Sequence, residues 1–281
     1  MKKRHMRFPN FKDKAVTLSY DDGVAQDKRL ISILSKYGLK GTFNLNSGMF
    51  GREATQDKGR MTAQEALRLY TESGNEVAVH GFKHLSLADV DSAVAINDII
   101  EDRKALEALF GKVIKGMAYA NGSYNDSVVE ALKLCGIHYS RTTESSRDFK
   151  LPKDWLKLKA TCHHNDPALM ELAKKFVEYS VGDYPWRNYP RMFYLWGHSY
   201  EFDNDDNWGV IEKFAEYIGG RDDIWYATNG EIYDYINAYE RLEFSADGSM
   251  VHNPTAIDLY ITYHRNSQNF IIPSGQIVRL D

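Results

Sequence analysis

From Ala15 to Tyr239 the chain alternates short apolar runs with longer stretches whose apolar residues recur every three or four positions. The run Ala15-Val16-Thr17-Leu18 reads as a buried strand, and Leu30, Ile33, Leu34 and Tyr37 then repeat at helical spacing until Gly38 stops them. A strand at Gly41–Leu45 follows, then a helix at Thr62–Ser73 in which Thr62 and Glu65 form a capping box. Further strands are expected at Glu76–Val79, Lys115–Tyr119, His138–Arg141, Leu158–Ala160, Met192–Trp196 and Ile224–Ala227. Helices are expected between them at Leu87–Phe110, Asn125–Leu134, Pro167–Tyr179, Trp208–Ile218 and Glu231–Tyr239. Repeated βα units require parallel strands, and about seven of them close into a barrel. The expected fold is therefore α/β, a distorted (β/α)7-type barrel.

Past Tyr239 the period shortens. Leu242–Ser245, Met250–Asn253, Asp258–Tyr263, Asn269–Ile272 and Gln276–Leu280 read as short strands separated by turn residues. The expected division is a barrel over residues 1–240 and a small antiparallel annex over 241–281, packed on the barrel. No internal repeat or low-complexity stretch is evident.

Several of the apolar runs end in residues that hold metals or move protons. Two adjacent carboxylates and a glycine, Asp21-Asp22-Gly23, close the first strand. Neighbours leaving a strand point in different directions, so one carboxylate can bind a metal while the other handles a proton. His80 and His84 follow the strand Glu76–Val79 and stand four residues apart. A helical turn there would put both imidazoles on one face. With Asp22 they make two imidazoles and a carboxylate, a set that leaves coordination positions open, as a catalytic rather than a structural site requires. The segments Tyr119-Ala120-Asn121-Gly122, Asp154-Trp155 and Leu195-Trp196-Gly197-His198 complete the series. Strand C-terminal ends are where barrel loops converge to form an active site.

With these motifs in this order, the chain resembles the polysaccharide deacetylase family, over roughly Ala15 to Tyr239. The family's Thr-Phe-Asp-Asp-Gly stands here as Ser19-Tyr20-Asp21-Asp22-Gly23, and its His-(Ser/Thr)-x-x-His as His80-Gly81-Phe82-Lys83-His84, without the loop-bracing hydroxyl. The resemblance implies that Asp21 is the general base, that Asp22, His80 and His84 hold a divalent ion, and that His198 is the general acid. It implies Zn2+ first, with Co2+, Mn2+, Ni2+ or Fe2+ as alternatives. The third motif departs from the family: Ala118-Tyr119-Ala120-Asn121-Gly122-Ser123-Tyr124 lacks the arginine and the proline. That arginine pairs with the catalytic base and lowers its pKa, and Arg141, at the end of the strand from His138, is the candidate to replace it. Tyr119, Asn121, Arg141, Trp155 and Trp196 are the expected substrate-binding residues, with Trp155 either a wall of the acetyl site or a core residue. A backbone N–H between Asn121 and Tyr124 is the expected oxyanion donor.

Composition narrows the partners. Of 281 residues 43% are hydrophobic, enough for one large core, and 13% are aromatic, which suits a groove for sugar rings. A net charge of -4 gives no basic field for nucleic acid. No apolar run is long enough to span a membrane. The basic start Met1–Phe8 has no apolar stretch behind it, so the expected location is the cytoplasm, or outside the cell with the export signal absent from this chain. Cys135 and Cys162 give no disulfide framework. Cys162-His163-His164-Asn165-Asp166 is a rival set of metal ligands, but consecutive residues seldom converge on one ion, so a cleft-lining role is expected for one of its histidines. The expected function is a metal-dependent deacetylase acting on a carbohydrate or a small acetylated substrate. The alternatives are hydrolysis of a small amide or cyclic ureide, and non-catalytic carbohydrate binding.

Overall fold

The first barrel strand, β2 (Lys14–Asp21), follows a short strand β1 (Arg4–Arg7) and is buried at every residue. Its two faces meet different surroundings. Val16, Leu18 and Tyr20 join the main apolar cluster, whereas Thr17, Ser19 and Asp21 bond to Asn229 and Asn44 inside the barrel. A strand covered on both faces carries no outward polar row, which is why its sequence reads as a run. The computed structural model describes residues 4–51, 59–179, 189–263 and 268–280. Of the basic start of the chain, residues 1–3 lie outside the described residues.

The remaining elements follow the expected alternation closely: α1 (Asp27–Lys36), β3 (Gly41–Leu45), α2 (Ala63–Ser73), β4 (Glu76–Val79), α3 (Ser92–Phe110), β5 (Gly116–Ala118), α4 (Asp126–Leu134), β6 (Tyr139–Ser145), β7 (Leu158–Ala160), β8 (Cys162–His163), α5 (Leu169–Val177), β9 (Arg191–Gly197), α6 (Glu201–Asn204), α7 (Gly209–Ile218), β10 (Ile224–Tyr226) and α8 (Asn229–Glu240). The capping box of α2 forms as read, with Thr62 accepting from the Glu65 amide. A second one, Thr228 with Glu231, starts α8 two residues before the expected Glu231. The helix expected from Leu87 begins at Ser92, because Leu87–Asp89 forms a separate 3-10 turn.

Every pairing in the large sheet is parallel, in the order β7-β6-β5-β4-β3-β2-β9-β8 with β10 beside β2. Because β7 pairs with β6 and β8 with β9, the single run Leu158–His163 joins the two flanks and closes the sheet. The α/β class and the distorted seven-unit barrel are thus as expected.

Two small antiparallel sheets complete the chain. One holds β11 (Glu243–Phe244), β12 (Met250–His252) and β15 (Ile277–Arg279); the other holds β1, β13 (Leu259–Tyr263) and β14 (Gln268–Ile272). The annex therefore takes one strand from the N-terminus, across the expected boundary at residue 240, since β1 pairs with β13. Met6, Phe8, Leu259 and Ile261 share an apolar cluster with Ala15, Tyr194 and the α8 residues Ile232 and Tyr235, so the annex packs onto the barrel. Among the described residues both cysteines are free and buried, and no helix is long and apolar enough to cross a membrane.

Candidate active site

Alternation along β2 sends Asp21 into the barrel beside Ser19, and the chain then turns sharply. Asp22 adopts a φ of 83° and Gly23 one of 65°, so the second carboxylate swings to the barrel mouth. A non-glycine residue in that region is strained, and such strain is typical of functional sites. His84 has the same feature at φ 56°. The loop from His80 to His84 is not the expected helical turn: Gly81 at φ 86° reverses the backbone, and the rings of His80 and His84 meet edge to face at 4.9 Å.

The missing hydroxyl of this loop has a substitute. A Cβ at Gly81 would lie 2.6 Å from Oδ2 of Asp98, so no side chain fits. Asp98, from α3, accepts the Lys83 amide at 2.9 Å, while Asp102 accepts the His80 amide at 3.0 Å. Asn46 donates to the carbonyls of His80 and Gly81. Two carboxylates and an amide thus brace the loop.

His80, His84 and Asp22 converge. Nε2 of His84 is 3.6 Å and Nε2 of His80 is 3.9 Å from Oδ1 of Asp22, and one ligand atom from each lies within 4.8 Å of the others. Nδ1 of His80 is 2.9 Å from the Ala118 carbonyl, which fixes a proton on Nδ1 and leaves Nε2 bare. Burial lowers the pKa of His80, although Asp21 and Asp22 pull it up. Two imidazoles and one carboxylate, with open positions beyond them, fit a divalent ion. Arg60, which sequence reasoning did not single out, donates at 2.8 Å to the Asp22 carbonyl and sets its guanidinium 3.4 Å from Oδ1.

Asp21 is held from two sides: Nδ2 of Asn44 donates to Oδ1 at 2.7 Å, and Nη2 of Arg141 donates to Oδ2. Arg141 is 1% exposed, so the expected pairing of Arg141 with Asp21 is present in the geometry. Burial would raise the Asp21 pKa, but Arg141, His80 and His198 outweigh it and hold it at about 2. Trp196 covers the guanidinium of Arg141 at 4.2 Å, a contact within cation–π range.

On the far side of Asp21, Nε2 of His198 is 3.8 Å from Oδ2, and Nδ1 faces Oε1 of Glu201 at 3.3 Å. Burial would lower the His198 pKa, yet Glu201 and Asp21 raise it. Glu201 was not read from the sequence. Burial opposes its ionisation, but His163, His164 and His198 around it outweigh burial and lower its pKa.

The other expected residues divide. Trp196 lies at the site. Asn121, at φ 56°, donates to Ser86 on the exposed rim. The Tyr119 hydroxyl donates to the Leu156 carbonyl at 2.8 Å and the ring stacks on Tyr124, so its polar atom is directed elsewhere. Two of the expected oxyanion donors, the amides of Gly122 and Ser123, are spent on the carbonyls of Tyr119 and Ala120. Trp155 is not brought to the site. It precedes β7, at the opposite end of the barrel, and packs edge-on against Tyr233 of α8 at 5.1 Å.

The mouth of a parallel α/β barrel thus gathers Asp21, Asp22, His80, His84 and His198. Residues 9–140 match the model of the family described as polysaccharide deacetylase. Among curated proteins, a chitin deacetylase of a Pestalotiopsis species is 27% identical over 151 residues, which are 53% of this chain and 48% of that protein. The chain therefore aligns with about half the length of that relative. Among solved structures, one titled as a putative polysaccharide deacetylase from Mycobacterium smegmatis has a TM-score of 0.59 at 17% identity, covering 85% of this chain and 96% of that one. A family 4 carbohydrate esterase from Streptomyces lividans, solved with acetate, has a TM-score of 0.51 at 15% identity, over 77% and 93% of the two chains. A mutant of a family 4 pseudoenzyme with restored activity aligns at a TM-score of 0.51 and 17% identity, over 82% and 70%. At these identities the structures speak to the fold alone. The resemblance to polysaccharide deacetylases holds by sequence across the segment with the first three motifs, and His198 lies beyond the matched residues.

Proposed function

We propose that the cleft hydrolyses acetyl groups, N- or O-linked, from a carbohydrate, with a divalent ion, zinc first, held by Asp22, His80 and His84. The observation that carries this reading is the convergence of those three ligand atoms within 4.8 Å, with Asp21 between them and His198. When bound, the ion would lower the pKa of a water and polarise the acyl carbonyl. Asp21, kept ionised by Arg141 and oriented by Asn44, takes the proton of the attacking water. His198 gives a proton to the departing amine or alcohol, and Glu201 beside its Nδ1 favours the charged imidazole. Trp196 walls the Arg141–Asp21 pair from water and keeps their attraction strong. The chitin deacetylase relative and the family match support a carbohydrate as the acyl carrier.

The test combines metal analysis of the purified protein with acetate release from chitin, peptidoglycan and xylan oligomers, and a cyclic ureide as control. Metal-dependent acetate release from at least one oligomer is expected. Metal-loaded protein that turns over only the ureide, or nothing, would overturn the reading.

A further inference from the structure

A second group of ligands stands on the other side of His198, and it involves none of Asp22, His80 or His84. Nε2 of His163 is 3.2 Å from Oε2 of Glu201, Nε2 of His164 is 3.1 Å from the same oxygen, and Nδ1 of His198 is 3.3 Å from Oε1. One atom each from His163, His198 and Glu201 fall within 4.8 Å of one another. With metal bonds of about 2.0–2.2 Å to imidazole nitrogen and carboxylate oxygen, neighbouring ligands of a four-coordinate ion sit about 3.3 Å apart. The two His–Glu201 separations, 3.2 and 3.3 Å, are close to that spacing, and one ligand atom from each residue falls within 4.8 Å of the others.

A second observation is independent of the spacing. His164 is fully buried and its Nδ1 has no hydrogen-bond partner, while its Nε2 and Nδ1 of His198 face Glu201 oxygens at 3.1 and 3.3 Å without the alignment of a proper hydrogen bond. Buried polar atoms left so are rare. The ordinary alternative, a His–Glu hydrogen bond, has a local standard in His252 and Glu243, which meet at 2.7 Å. The cluster around Glu201 is wider and worse aligned than that pair, as expected where lone pairs aim at a common point rather than at each other.

We propose that His163, Glu201 and His198, backed by His164, form a second divalent-cation site, weaker than the first, whose occupation blocks the general acid. Its weakness follows from tautomers. His80 already has its proton on Nδ1, given to a carbonyl. His163 instead accepts the Asn165 amide on Nδ1 at 3.2 Å, so its proton sits on Nε2 and must be moved, with loss of that hydrogen bond, before an ion can bind there. The site therefore fills after the first. Once filled, it ties up Nδ1 of His198, and the neutral, metal-bound ring gives up its Nε2 proton less readily than an imidazolium. Excess cation then inhibits. The blocking of turnover rests on the deacetylase reading; the cation site itself does not.

Equilibrium dialysis of the metal-free protein against zinc alone tests the site. Two equivalents of unequal affinity are expected in the wild type, and one in Glu201→Gln and in His163→Phe, each retaining the tight equivalent as proof of folding. Activity of the wild type should rise with the first equivalent and fall with the second. A single equivalent in the wild type, or a second one that survives both substitutions, would overturn the proposal. Two equivalents in a protein that releases no acetate would leave the cation site standing and sink the deacetylase reading instead.

Discussion

Arg141 at β6 donates to the carboxylate of Asp21 at the end of β2, and both side chains are buried. The pair spans 120 positions of sequence and supplies the cation that the third motif lacks. Removing one partner of a buried pair leaves an uncompensated charge, which costs about 3–5 kcal/mol. Arg141→Met should therefore lower stability by about that amount. Burial would then act on Asp21 unopposed by Arg141, so its pKa should rise from about 2. The acidic limb of the kcat/KM profile should move to higher pH, measured between pH 4 and 8, while metal content stays the same. An unshifted limb would show that Arg141 does not set the ionisation of the base.

Asp21 and Asp22 are neighbours to which the proposed mechanism gives separable roles. Asp21→Asn keeps the shape and removes the proton acceptor, so turnover should fall by about 10²–10⁴ with one tight equivalent of metal retained. Asp22→Asn should lose the tight equivalent, read by equilibrium dialysis, since only Asp22 brings a carboxylate oxygen to His80 and His84 among the three. A reversed pattern would exchange the two assignments.

The legible part of the site is the part that lies at strand ends. Asp21, Asp22, His80, His84 and His198 each follow an apolar run, and a parallel barrel gathers such ends at one mouth. Arg141 could be proposed but not placed, because arginine is usually exposed and its burial is a product of the closed sheet. Glu201 looks like any acid in a helix's first turn; only the fold sets it beside three histidines. His163 and His164 are adjacent, and adjacent strand residues diverge. Here β8 ends at His163, and the missing side chain of Gly197 gives the His164 ring its room, since a Cβ there would lie 2.1 Å from Nδ1. The strand β1 was missed because its partner β13 lies near the other end of the chain.

Trp155 offers a check on position inferred from motif order. It is half-buried against Tyr233 at the end of the barrel away from His80 and His198. Trp155→Ala should cost about 1–3 kcal/mol of stability through lost packing. kcat/KM for acetate release should stay within about twofold of the wild type. A large loss of rate in a folded variant would return Trp155 to the substrate cleft.

Asp27 makes the stability of the fold depend on pH. It is fully buried at the start of α1 and accepts from Ser199 at 2.5 Å and from Tyr70 at 2.6 Å. Burial is the largest influence and raises its pKa to about 7, against the opposing hydrogen bonds from Ser199 and Tyr70. The folded chain therefore holds a proton that the unfolded chain, with a carboxyl near 3.9, has already released. The stabilisation is complete below that unfolded value and is lost as pH rises to about 7, a change on the order of a few kcal/mol by linkage. Asn at this position cannot ionise, so Asp27→Asn should flatten the fall in melting temperature between pH 4 and 7. Thermal melts of both proteins across that range decide the point: parallel curves would mean that Asp27 is ionised throughout and that its buried charge is satisfied by Ser199 and Tyr70 alone.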